Sequence, residues 1–267
     1  MKRFFINTLK TLVIIYVGVC VFLYFYQEHL IFFPEKLAKE YKFKFDRNFD
    51  ELNIKTDDKI LLNSLLFKAD SSKGLIFYLH GNSGSLKTWG SIAKNYNNKH
   101  YDFFMLDYRG YGKSDGEINN GEEELFKDIQ IVYDTLKKRY NEDRIIILGY
   151  SIGTGPATKL ASTNKPKHLI LQAPYYSLTD MMMHEYPGVP TFILNYKFQT
   201  NKYIPNCKSP ITIFHGDKDE VIYYNSSVKL KALCKPTDKF ITLPGRGHGG
   251  INDDPIYITE IDKILKE

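Results

Sequence analysis

The chain has 267 residues, 43% hydrophobic and 25% charged, which suits one large domain with a substantial core and argues against disorder. Its 36 basic and 31 acidic residues leave a net charge of +5 and are mixed along the chain, so the basic excess reads as a solvated lysine-rich surface rather than a nucleic-acid site. The three cysteines, Cys20, Cys207 and Cys234, form no CxxC pair, which speaks against a zinc site or thioredoxin-type chemistry. A Cys207–Cys234 disulfide stays open for an exported domain.

Residues 11–27 read TLVIIYVGVCVFLYFYQ, carry no charge, and follow Lys2, Arg3 and Lys10. As a helix the run would be ~25 Å long, just under the ~30 Å hydrocarbon core of a bilayer. Phe4 to Ile6 and Ile31 to Phe33 extend it, and Tyr24, Phe25 and Tyr26 suit the membrane–water interface. No A-x-A cleavage pattern follows, and Val19 rather than a small residue precedes Cys20, so an uncleaved signal anchor fits better than a signal peptide or a lipoprotein. The chain divides into an anchor with its flanks over 1–33, a linker over 34–48 and a catalytic domain over 49–267. The basic residues before the run favour a single pass with the domain on the extracytoplasmic side, an asymmetry reduced by Lys36, Lys39, Lys42 and Lys44. Residues 1–27 lack an amphipathic stripe, so the domain is expected to fold and work without them.

Within the domain, strands are predicted over 60–67, 74–80, 102–107, 144–150, 167–172, 210–215 and 237–243. Most are continuous Val/Ile/Leu/Phe runs, as in parallel strands covered on both faces, and the first is expected to pair antiparallel at the edge. Helices are predicted over 121–140, 152–163, 222–233 and 255–266, with Pro255 in a first turn. The alternation implies right-handed crossovers and an α/β, mostly parallel, doubly wound sheet. The segment 174–205, without a clear strand, either caps a site or covers a sheet edge.

Gly149-Tyr150-Ser151-Ile152-Gly153 is a G-x-S-x-G pattern set between a predicted strand and a predicted helix. A sharp strand-to-helix turn needs room beside the serine, which the flanking glycines supply, and it presents the hydroxyl at a helix N-terminus. A serine hydroxyl needs a general base, and His248 in the loop GRGHGG follows the last predicted strand. The base needs an acid, for which Asp219 and Asp217 are both placed after the preceding strand, Asp217 also being suited to closing that turn. Two backbone N–H groups must hold an oxyanion: Ile152, after the nucleophile, and Asn82 in HGNSG, with Ser83 as the alternative.

HGNSGS, DYRGYGKSDG, GYSIG, HGDKDEV and GRGHGG, in that order, resemble the alpha/beta-hydrolase superfamily. More closely, they resemble its membrane-anchored serine hydrolases, including the protein depalmitoylases and the prolyl-oligopeptidase-like hydrolases. The likeness spans roughly residues 50–265. It implies an alpha/beta-hydrolase fold with a minimal cap segment, preceded by one N-terminal transmembrane helix. It also implies that the acid is Asp219, and that Asp107 to Gly116 supports the oxyanion loop instead of touching substrate through Tyr108 or Arg109. The chain lacks the N-terminal cysteine cluster of the resembling palmitoyl-protein hydrolases, so a depalmitoylase role does not carry over.

The expected chemistry is hydrolysis of a carboxylic ester or thioester through a Ser151 acyl-enzyme, with Ser151, Asp219 and His248 as the triad and Asn82 and Ile152 as the oxyanion hole. Met181, Met182, Tyr186 and Phe192 are expected to line an apolar substrate pocket. No metal or organic cofactor is called for. The expected partners are a small or lipid-like acyl substrate and the membrane, with no nucleic acid. A peptidase is the alternative enzyme, and an anchored binding protein with a vestigial site is the non-enzyme reading.

Overall fold

The computed structural model describes residues 1–266. Helix α1 runs over Lys2–Ile31, longer than the apolar run at both ends, and is long and apolar enough to cross a membrane. The domain then contributes β1 (Phe49–Lys55), β2 (Leu61–Phe67), β3 (Leu75–Leu79) and β4 (Asp102–Leu106), followed by α2 (Glu122–Lys137). Next come β5 (Ile145–Tyr150), α3 (Thr154–Thr163), β6 (His168–Gln172), α4 (Leu178–Glu185) and β7 (Ile211–Gly216). Helix α5 (Tyr224–Lys231), β8 (Lys239–Leu243) and α6 (Pro255–Ile264) close it.

The eight strands form one sheet in the order β1-β2-β4-β3-β5-β6-β7-β8, parallel except where β2 meets β1 and β4. Strand β3 shows why its run is apolar throughout: Leu75, Phe77 and Leu79 enter the core on one face, Ile76 and Tyr78 the core on the other. Helices α2 and α3 cover the first face with Ile129, Val132 and Leu160; α6 covers the second with Tyr257, Ile261 and Ile264. The Asp254 carboxylate caps α6 by accepting from the Ile256 and Tyr257 N–H groups, and Pro255 opens its first turn.

Three expectations change. The antiparallel strand predicted over 60–67 is second from the edge, because β1 pairs outside it from Phe49 opposite Phe67 to Lys55 opposite Leu61. Strand β1, FDELNIK, buries only Ile54, so it has no apolar run to announce it. Residues 34–48 are not a free linker: Phe33–Pro34 pairs in parallel with Ser83–Gly84, the Leu37 N–H donates to the Gly112 carbonyl at 2.9 Å, and Phe43 is buried. Helix α1 is not separate from the domain either. Gln27 is buried, donates to the Tyr24 and Ile193 carbonyls at 2.7 and 3.1 Å, and accepts from the Asn195 N–H at 2.8 Å. The Tyr16 hydroxyl donates to the Gly188 carbonyl at 3.0 Å.

Of the two readings of segment 174–205, the structure shows the cap; the rest of the segment packs into the core and not along a sheet edge. The first part, α4 and the turn Thr191–Ile193, lies over the cavity described below, while Tyr196, Phe198 and Ile204 fill the core. All three cysteines are free thiols; burial pushes Cys207 up to about 12 and Cys234 up to about 11.

Candidate active site

The loops after β3, β5, β7 and β8 meet at the C-terminal edge of the sheet, where open α/β sheets hold their ligands. Ser151 sits between β5 and α3 with φ at +53°, a left-handed conformation that a non-glycine residue takes only when its surroundings enforce it. The two glycines make this possible. A Cβ on Gly149 would lie 2.7 Å from the Ala157 Cβ, and one on Gly153 would lie 2.2 Å from the Leu79 carbonyl oxygen.

His248 Nε2 lies 2.9 Å from Ser151 Oγ, and its Nδ1 lies 2.8 Å from Asp219 Oδ2. A carboxylate facing Nδ1 assigns the proton to that nitrogen and leaves Nε2 free to accept from the serine hydroxyl. The second oxygen of Asp219 accepts from the Val221 and Ile222 N–H groups, each at 2.9 Å. Burial opposes its ionisation, but hydrogen bonds from His215, His248 and the Ile222 N–H prevail and hold the carboxyl well below the usual range. Asp217 does not reach His248; it accepts from the Gly245 N–H at 2.7 Å and so ties down the loop that carries the histidine.

A second histidine, His215 near the end of β7, reaches the same carboxylate. Its Nε2 lies 3.0 Å from Asp219 Oδ2 and 3.1 Å from the Ile222 carbonyl. Its signal in the sequence is the i, i+4 spacing to Asp219 across a tight turn.

Asn82 and Ile152 both line the cavity at Ser151, and Ser83 does not. The Asn82 carbonyl accepts from the Phe33 N–H at 2.8 Å and the Tyr111 hydroxyl at 2.7 Å. Its side-chain amide donates to the Ile31 carbonyl at 3.1 Å. The Tyr108 hydroxyl donates to the His80 carbonyl at 3.0 Å. Tyr108 and Tyr111 thus brace this loop from below. Arg109 turns elsewhere, its guanidinium engaging Asp58, Glu124 and Asp128.

Beneath the loop, His80 and Asp107 approach to 3.8 Å without forming an ion pair. Burial pushes the imidazole down to about 4 and the carboxyl up to about 8, favouring the neutral form of each.

The cavity holds about 480 Å³, within the ordinary range for a small-molecule site. Met181, Met182 and Tyr186 line it as expected. Phe192 does not: it is 82% exposed, and its neighbour Ile193 turns inward in its place. In the single helical turn Thr191–Ile193, adjacent side chains point in different directions. Four residues missed by sequence reasoning, Leu23, Gln27, Leu30 and Ile31, come from α1. Their 4, 3 and 1 spacing puts them on one helix face, a signal hidden by an apolar run with no polar side to contrast it. Among the described residues, no cluster of three or more His, Cys, Asp or Glu side chains is arranged to hold a metal ion.

Sheet order, elbow and loop placement together define an alpha/beta hydrolase. The chain belongs to the Hydrolase_4 family, described as serine aminopeptidase, S33, whose pattern matches residues 70–208. It is 28% identical to an uncharacterized protein of Acanthamoeba polyphaga mimivirus, with 87% of each chain covered. It is 29% identical to alpha/beta hydrolase domain-containing protein aho-3 of Caenorhabditis elegans, over 71% of this chain and 57% of that one. To alpha/beta hydrolase domain-containing protein 17B of Homo sapiens it is also 29% identical, over 73% and 66%. The chain therefore spans less than two thirds of these animal relatives. Among solved structures, the Pyrococcus furiosus esterase Pf2001 matches with a TM-score of 0.70 at 17% identity, covering 88% of this chain and 97% of that one. Est1E of Butyrivibrio proteoclasticus, with ferulic acid bound, matches with a TM-score of 0.63 at 20% identity, over 80% and 96%.

Proposed function

We propose that the chain is a serine hydrolase of carboxylic esters or thioesters, single-pass in the membrane with its domain on the extracytoplasmic side. The observation that carries the reading is the continuous path from Ser151 Oγ through His248 to Asp219, with steps of 2.9 and 2.8 Å, opening on an apolar cavity. His248 takes the hydroxyl proton as Ser151 Oγ bonds to the carbonyl carbon, and Asp219 stabilises the imidazolium that forms. The Asn82 and Ile152 N–H groups hold the oxyanion. The alcohol or thiol leaves with the proton from His248. A water, deprotonated by the same histidine, then attacks the acyl-enzyme and releases the acid and free Ser151. The basic residues ahead of the apolar run, Lys2, Arg3 and Lys10, support the orientation.

A peptidase is the second reading, favoured by the family's description and by Glu185, a carboxylate at the cavity able to hold a free amine. The deciding experiment treats wild type and Ser151→Ala with a fluorophosphonate probe, then compares acyl esters with aminoacyl amides. Labelling of wild type alone, with ester turnover, is expected. A folded wild type that takes no label overturns the hydrolase reading, and turnover confined to aminoacyl amides moves it to the peptidase.

A further inference from the structure

We infer that the anchor helix is itself one wall of the acyl pocket, so that the site takes an ester or thioester whose acyl chain lies in the bilayer. The inference rests on the hydrolase reading above and adds where the substrate comes from. Leu23, Gln27, Leu30 and Ile31 of α1 share the cavity with Ser151, and Asn82 in the loop above is hydrogen-bonded to the Ile31 carbonyl. Only Gln27 among these four is polar, and its amide is consumed by Tyr24, Ile193 and Asn195, so the wall presents apolar surface. An acyl chain seated there exchanges one apolar setting for another and never has to cross water.

The cap follows the helix into the apolar zone. Tyr16 lies 15 residues before Ile31, roughly 22 Å along a helix axis, and its hydroxyl meets the Gly188 carbonyl. The cap turn at Gly188 therefore stands beside the uncharged run 11–27 rather than above it. Tyr186 and Val221, which line the cavity, and Phe192 in the cap are 64%, 56% and 82% exposed. In water such a rim is a liability; beside a membrane-spanning helix it is solvated by lipid.

The test uses the full chain in phosphatidylcholine vesicles with p-nitrophenyl acetate and p-nitrophenyl palmitate. Leu23→Trp and Leu30→Trp fill the cavity from the helix side; Val13→Trp places the same side chain at an exposed position of that helix outside the cavity. The palmitate-to-acetate ratio of kcat/KM is expected to fall roughly tenfold in the first two and to hold in the third. An unchanged ratio in both cavity variants, or an equal fall in Val13→Trp, overturns the inference. A long-chain fluorophosphonate with a diazirine at the chain end reads the wild-type pocket directly. Crosslinks to residues 23–31 are expected, and crosslinks that miss α1 overturn the inference while leaving the hydrolase standing. A wild type that neither turns over acetate nor reacts with the probe removes both.

Discussion

His215 and His248 converge on a single atom, Oδ2 of Asp219, at 3.0 and 2.8 Å. Counting the two backbone N–H groups on Oδ1, four donors surround one carboxylate. The neighbours of His215 Nε2 are both acceptors, so that nitrogen carries a proton and donates. The His215 side chain is fully buried and approaches neither Ser151 nor the cavity, so in the proposed mechanism it is a positioning residue acting through Asp219.

Replacing it by leucine removes a hydrogen bond to a charged group, worth about 1.5–3 kcal/mol. We expect His215→Leu to lower kcat roughly 10–100-fold with KM little changed. Asp219 would be less acidic without this donor, so activity lost to acid should be lost at a higher pH than in wild type. A kcat–pH profile checks this; a profile that keeps its shape and only drops in height makes His215 merely structural. The depressed Asp219 carboxyl also contributes stability above its unfolded pKa, a contribution lost as pH falls through the folded value.

The two aspartates of the same turn should separate cleanly. Asp219→Asn leaves the shape intact but removes the charge that orients His248, with an expected loss in kcat on the order of 10⁴. Asp217→Asn keeps an oxygen for the Gly245 N–H, and its kcat is expected to stay within about threefold of wild type. Steady-state assays of the two variants against one ester settle the assignment.

Asp107 supplies a pH signature away from the chemistry. Burial raises its carboxyl from 3.8 to about 8, so the folded state is penalised progressively as pH rises from the lower value to the upper. Asp107→Asn keeps an acceptor for the Leu86 N–H, which the native oxygen receives at 2.9 Å, and removes the ionisation. Its Tm relative to wild type is expected to climb between pH 4 and pH 8, the span of that shift, as thermal unfolding across the range reports.

Gln27 holds the cap to α1. Gln27→Ala leaves the Ile193 carbonyl and the Asn195 N–H without partners, at a cost of about 1–3 kcal/mol. A lower Tm and faster amide exchange over 186–195 are the expected readouts. Deleting residues 1–27, which the apolar run alone makes look harmless, should reproduce that loosening and open the cavity.

The sheet was legible because its central strands are buried on both faces: IIIL in β5 or LIFYL in β3 has no competing reading once glycine turns bound it. The site was legible because a strained elbow and an oriented base need particular residues at particular sheet edges. Hidden were the features that depend on what one element meets. Strand β1 needs β2 beside it to be a strand at all. Phe192 and Ile193 are equally apolar, and only the backbone turn decides which faces the cavity. In α1 the apolar residues run all round, so no periodicity marks the face that Leu23, Gln27 and Ile31 present to the domain.

Ser151 and His248 are 97 residues apart in the chain, and the histidine follows the last strand of the sheet. On the ribosome, α1 is made before the elbow, and the base only after nearly the whole sheet has been synthesised. The serine consequently has no partner to activate it until the C-terminal strands are in place. Under the proposed mechanism, synthesis order therefore acts as a delay: the hydroxyl stays without its base until the fold is complete.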